Sequence, residues 1–290
     1  MNDNYNNEQF SIMESIKLEE LERKRLAHLA SANVFVLEPR TSLEIINSGR
    51  ATFLTFGTGF FVKHRERRFF VTADHVARYS YWEEGVDVDC NTIMIPHNNI
   101  IQEKGCLGCG FSIKNSWVSY DENKEQYGMD FFPIDVSFCE ILPDDLSTGF
   151  FTQELIQDNV IVCKKGECHF YIEEHDASPF KKGKQYFFGG ISECRQIGPR
   201  IEQHFNFLDG LSYESVDSDG NVILSGQKIF EEKLGGLSGA PIFDYDGLIA
   251  GMFVRASEND NSITAVPIDA IFKYVNYYVD ASPFDDNPGM

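Results

Sequence analysis

The run Gly57-Thr58-Gly59-Phe60-Phe61-Val62, followed by Phe69-Phe70-Val71-Thr72-Ala73-Asp74-His75-Val76, decides how this chain is read. Both halves are dense in Phe, Val and Thr, residues that suit a pleated, half-buried strand. Lys63–Arg67 between them is a charged turn. The spacing therefore predicts strands at Gly59–Lys63 and Arg68–Thr72, with His75 delivered just past the second.

Working outward, Asn33–Leu37, Ala51–Phe56, Ile93–Pro96, Phe111–Ile113, Trp117–Ser119 and Val136–Ile141 are further short strand candidates. The second half continues with Val160–Lys164, His169–Glu173, Gln185–Ile191, His204–Leu208, Val222–Gln227, Ala240–Phe243, Leu248–Val254 and Ser262–Val266. Turn-forming residues separate them. Two helices flank the strands. Gln9–Ala30 carries an uneven apolar stripe of Ile12, Ile16, Leu18, Leu21, Leu26 and Leu29, and Ile268–Val279 places Ile268, Ile271, Phe272, Val275 and Val279 on one side. Packing on the body is the expected fate of the first helix, with a protein partner as the alternative. Many short strands and few helices predict an all-β barrel or sandwich.

Domain organisation follows from composition shifts. Residues 1–32 read as a polar segment plus helix. Residues 33–145 form a first lobe and 155–280 a second, which includes the C-terminal helix. Pro143–Phe151 is the linker, Asp121–Tyr127 a polar loop, and 281–290 a fraying tail.

A formal charge of −20 from 25 basic and 45 acidic residues repels phosphate backbones, which argues against general nucleic-acid binding. No apolar run reaches the ~18 residues of a membrane span. The polar opening MNDNYNNEQF lacks a basic segment followed by an apolar one, so a cytoplasmic setting with reduced thiols is expected for the seven cysteines. Cys106-Leu107-Gly108-Cys109 has a spacing that can grip zinc, with Cys163 and Cys168-His169 as further ligand candidates. No second pair with that spacing exists, so ordinary thiols are preferred and neither metal nor cofactor is expected.

Three segments carry the chemistry. They are the His75 run, Ile134-Asp135-Val136-Ser137-Phe138, and Gly235-Gly236-Leu237-Ser238-Gly239-Ala240-Pro241-Ile242-Phe243. A serine hydroxyl needs an adjacent base, histidine titrates near working pH, and a carboxylate on the other ring nitrogen fixes the tautomer. Asp130 is a rival for the acid, but Val136, Phe138 and Ile141 give Asp135 the following apolar strand. Asp74 adjoins His75, and neighbouring side chains on an extended chain face opposite ways.

In pattern and in chain order these segments resemble the trypsin-like (chymotrypsin-fold) serine peptidases, in particular the bacterial branch without disulfides. The family pattern is Gly-x-Gly-Phe-Val leading to Thr-Ala-x-His, then an Asp opening an apolar strand, then Gly-x-Ser-Gly-x-Pro. One extra Phe stands in the first pattern here. The resemblance implies two six-stranded antiparallel β-barrels facing a cleft, with the N- and C-terminal helices outside. It implies a serine endopeptidase acting through an acyl-enzyme, with His75, Asp135 and Ser238 as triad and the N–H groups of Gly236 and Ser238 as oxyanion hole. It further implies a protein or peptide substrate added as a strand along Met252, Phe253, Val254 and Arg255. Glu232, six residues before Ser238, would favour Lys or Arg at the cleaved position, unless Lys233 neutralises it; Arg255 would instead favour an acidic residue. Leu237 stands where digestive members carry Asp, so activation by an inserted N-terminus is not expected. The alternative is a latent or non-catalytic binding module on the same fold.

Overall fold

The computed structural model describes residues 20–37, 53–79, 93–96, 110–113, 118–119, 135–141, 154–157, 160–164, 166–167, 170–197, 200–226 and 234–281. The expected linker, the polar loop at 121–127 and residues 282–290 lie outside them, as does the start of the N-terminal helix. Sixteen strands dominate the described residues, and the chain is all-β as its composition of strands predicts.

The N-terminal strands form one eight-stranded sheet. Its centre is β2 (Phe53–His64), flanked by β1 (Ser31–Leu37) and β3 (Arg67–Thr72), and β3 in turn pairs with β7 (Ser137–Glu140). The strands β4 (Ile93–Pro96) and β5 (Gly110–Ile113) extend the β1 edge, and β6 (Val118–Ser119) closes on β7. Past the end of β1, a later strand runs parallel to β2 and pairs Tyr171 with Phe61. After the hairpin of β8 (Leu155–Gln157) and β9 (Val160–Cys163), that later strand is β10 (Tyr171–Ile172).

Sequence spacing divides β2 into two strands at Gly57 and Gly59, yet one strand of twelve residues passes through both. The glycines serve close approach rather than a turn. A Cβ on Gly59 would lie 2.3 Å from the Phe70 ring and 2.5 Å from the Val71 carbonyl oxygen. One on Gly57 would lie 2.6 Å from Val76.

The second half closes into a six-stranded barrel in the order β11-β12-β13-β16-β15-β14. These are Gln185–Ile197, Arg200–Val216, Val222–Ser225, Ser262–Pro267, Ile249–Ser257 and Pro241–Asp244 respectively. The β11–β12 pair is far longer than its apolar runs suggest, because ladder pairing continues through polar residues to Ile197 and Arg200.

Two helices tie the halves together. A helix at residues 20–30, α1, packs Ala27 and Ala30 fully into the core and sets Arg23 on Asp209 of the barrel at 2.6 Å. Its deepest positions are alanines rather than the leucines of the predicted stripe, since a small side chain allows the closest approach. A one-turn helix, α2 (Asp74–Ala77), follows β3. The last helix, α3 (Ile268–Ala281), leaves the barrel and returns to the N-terminal sheet, where Tyr274 meets Phe138 at a ring separation of 4.8 Å. Phe60, Phe69, Phe70 and Phe138 are fully buried in this shared core. Each contributes roughly 1.5–3 kcal/mol of hydrophobic stabilisation. Among the described residues no helix is long and apolar enough to cross a membrane.

Candidate active site

The β3–β7 register places Thr72 opposite Ser137. Three residues beyond Thr72 is His75, and two residues before Ser137 is Asp135. Both therefore emerge at the same end of the sheet. There, one carboxylate oxygen of Asp135 lies 2.6 Å from His75 Nδ1. Its other oxygen accepts the His75 backbone N–H at 2.9 Å. A carboxylate held at both oxygens by one residue cannot swing, and it selects the imidazole tautomer with hydrogen on Nδ1. The pair stays partly open, with side-chain exposures of 33% and 20%, so a reactant can approach.

Asp74 does not compete for the imidazole, though for a reason other than strand alternation. The chain turns helical at Asp74, and its carboxylate, 2% exposed, points into the protein. Arg78, one helical turn on, grips both of its oxygens at 2.9 and 2.8 Å, and the Ser137 hydroxyl donates to it as well. Asp135 and Ser137 share one face of an extended segment. That face thus meets α2 twice, at His75 and at Asp74. The Asp74-x₃-Arg78 spacing, an i,i+4 ion pair, was the sequence signal for this turn.

Ser238 sits on a loop that docks on β2. The Thr58 N–H donates to the Ser238 carbonyl at 2.9 Å, and the Thr58 hydroxyl donates to the Gly236 carbonyl at 2.8 Å. Leu234 to Leu237 form a turn closed by a 3.0 Å bond, with Gly236 at φ 85° as a type II turn demands of its third residue. Gly239, at φ 94°, lies so close to β2 that a Cβ would stand 1.9 Å from the Thr58 carbonyl oxygen. These two glycines thus have conformational and steric reasons that no side chain meets. Among the described residues, no acceptor engages the N–H of Gly236 or of Ser238.

The Ser238 hydroxyl donates to the Val254 carbonyl at 3.0 Å rather than to the imidazole. Val254 is the extra residue of a β-bulge, where the β15–β16 register slips between Phe253 and Arg255. Its carbonyl leaves the ladder and turns toward the loop. No strand pattern in the sequence signals this bulge.

The strand expected to take substrate divides into two parts. Met252 and Phe253 are buried on opposite faces of the strand; Met252 pairs with Pro241 and Val266, and the Phe253 backbone is bonded to Gly239 and Ala240. They have no backbone edge to offer. Beyond Val254, the β14 side of β15 is unpaired among the described residues, and Arg255 is exposed there. The free edge is therefore shorter than the sequence reading proposed. Glu232, Lys233 and Asp130 lie outside the described residues, as do Cys106, Cys109, Cys168 and His169.

The closed barrel, the sheet packed beside it and the few helices are consistent with an all-β, trypsin-like fold. No family model matches the chain, and no curated protein matches it. Among solved structures, the chain is similar to that of Deg5, with a TM-score of 0.46 and 14% identity over 91% of this chain and 95% of that one. It is similar to the same degree to the serine endoprotease from Yersinia pestis, TM-score 0.46 and 14% identity, over 90% of this chain and 66% of that one.

Proposed function

We propose that the protein is a serine endopeptidase that hydrolyses peptide bonds through an acyl-enzyme. The observation that carries this reading is the two-point hold of Asp135 on His75, with the Ser238 loop docked on β2 where Val76, the residue after His75, and the Ser238 carbonyl both close on Gly57. In this reading His75 takes the Ser238 proton as the hydroxyl attacks the scissile carbonyl, and Asp135 stabilises the resulting imidazolium. The N–H groups of Gly236 and Ser238 receive the negative charge that develops on the carbonyl oxygen. The proton then passes from His75 to the leaving amine, and water repeats the sequence to release the acid. The free edge of β15 after Val254 receives the substrate backbone as an added strand.

One observation favours the second reading, a latent module of the same fold. The serine proton is engaged by Val254, so attack requires the hydroxyl to leave that carbonyl. Labelling with a fluorophosphonate separates the two readings. An active enzyme is labelled at Ser238 without additions, and Ser238→Ala removes the label. Labelling that survives Ser238→Ala rejects the nucleophile. Wild-type protein that stays unlabelled until a partner is added supports latency.

A further inference from the structure

Thr58 has every polar group committed, and two of the three commitments reach one loop. Its N–H donates to the Ser238 carbonyl at 2.9 Å, its hydroxyl donates to the Gly236 carbonyl at 2.8 Å, and its own carbonyl accepts the Thr72 hydroxyl at 2.6 Å. The residue is fully buried, and Gly190 of the barrel closes over it so tightly that a Cβ there would lie 2.7 Å from the Thr58 hydroxyl.

A peptide unit is planar, so holding its carbonyl also aims the N–H at its other end. The unit joining Gly236 to Leu237 is held at both ends, by Thr58 and by the Leu234 carbonyl. The unit joining Ser238 to Gly239 is likewise held at both ends, by Thr58 and by the Phe253 carbonyl at 2.8 Å. The intervening Leu237 carbonyl accepts Ala240 N–H at 2.8 Å, which turns the Ser238 N–H the opposite way. Thr58 supplies one end of each of the two doubly held units, one following Gly236 and one following Ser238.

We propose that Thr58 is a positioning residue that, by holding the carbonyls of Gly236 and Ser238 from the other sheet, fixes the peptide units following both residues and thereby constrains the adjoining N–H groups of Gly236 and Ser238. This rests on the reading of those amides as an oxyanion site. It also gives the variable position of Gly57-Thr58-Gly59 a chemical requirement, a donor hydroxyl. Thr72 sits on the same β3 that leads to His75, so the Thr72–Thr58 bond ties the residue that holds the serine loop to the strand that delivers the base.

The test uses the full chain and two probes, a fluorophosphonate and p-nitrophenyl acetate. Thr58→Val keeps the shape and the backbone N–H but removes the hydroxyl; Thr58→Ser restores it. Thr58→Ala replaces the valine variant if that one does not fold. Thr58→Val is expected to lower the labelling rate and kcat by roughly 10- to 100-fold with KM little changed, because a misaimed amide weakens only the transition state. Thr58→Ser should recover most of the loss. A folded Thr58→Val with wild-type labelling rate and kcat overturns the proposal, and so does a loss seen in KM alone. Wild-type protein that neither labels nor turns over, with or without a partner, rejects the peptidase reading itself and this proposal with it.

Discussion

The His75 side and the Ser238 side of the site are built by different means. On the first, side chains grip side chains: Asp135 holds His75, while Asp74, Arg78 and Ser137 hold the turn beneath it. On the second, the loop is gripped by its backbone: the stretch from Leu234 to Ala240 is held by the N–H and hydroxyl of Thr58, by the Phe253 backbone and by its own turns. The difference has a physical source. His75 and Asp135 flank directly paired strands, so the β3–β7 register alone brings them together. Ser238 comes from the other half of the chain and is located by docking, which glycines and peptide groups permit at shorter range than side chains do.

Substitutions can break or sharpen this contrast. The largest effect is expected from Ser238→Ala, which should cut hydrolysis by about 10⁶-fold with the melting temperature unchanged, as read by a peptide or ester assay beside calorimetry. Asp135→Asn follows at about 10⁴-fold in kcat, since an amide no longer selects the tautomer with hydrogen on Nδ1. Gly239→Ala strikes the docked loop instead. Its Cβ would overlap the Thr58 carbonyl, so a stability loss of about 4 kcal/mol or more is expected in denaturant titration, with labelling lost as well. Ser137→Ala should cost about 1 kcal/mol and leave most activity, because Arg78 still neutralises Asp74.

The smallest effect lies where α1 meets the barrel. The Tyr245 phenol is pushed up to about 12 by burial and by its bond to Asp209, with the Arg23 guanidinium 4.4 Å from the ring. An unfolded tyrosine releases its proton near pH ~10. The contribution of Tyr245 is thus whole below that pH and fades as pH rises through the folded value. Tyr245→Phe should flatten the decline of melting temperature over that window; an unaltered slope would remove Tyr245 as the cause.

Much of the fold was legible. Phe, Val and Thr runs located β3, β7 and most barrel strands, and the apolar spacing of α3 gave its extent within two residues. The misreadings share a cause. Gly57 and Gly59 looked like breaks because glycine marks both turns and close approach, and only the Phe70 and Val76 side chains across the strand tell which. Asp74 looked extended because one helical turn is too short to leave a period. The bulge at Val254 and the continuation of β11 through polar residues leave no trace in hydropathy, since both depend on what the partner strand pairs with.

The sequence by itself determined the β class, the order of His75, Asp135 and Ser238, and the glycines of the serine loop, because residue type and local spacing carry backbone preference. Tertiary structure decided which carboxylate meets the imidazole, that the serine hydroxyl rests on Val254, and that Thr58 holds the loop. Those outcomes depend on strand register and on docking between distant segments, and neither is a property of any stretch read alone.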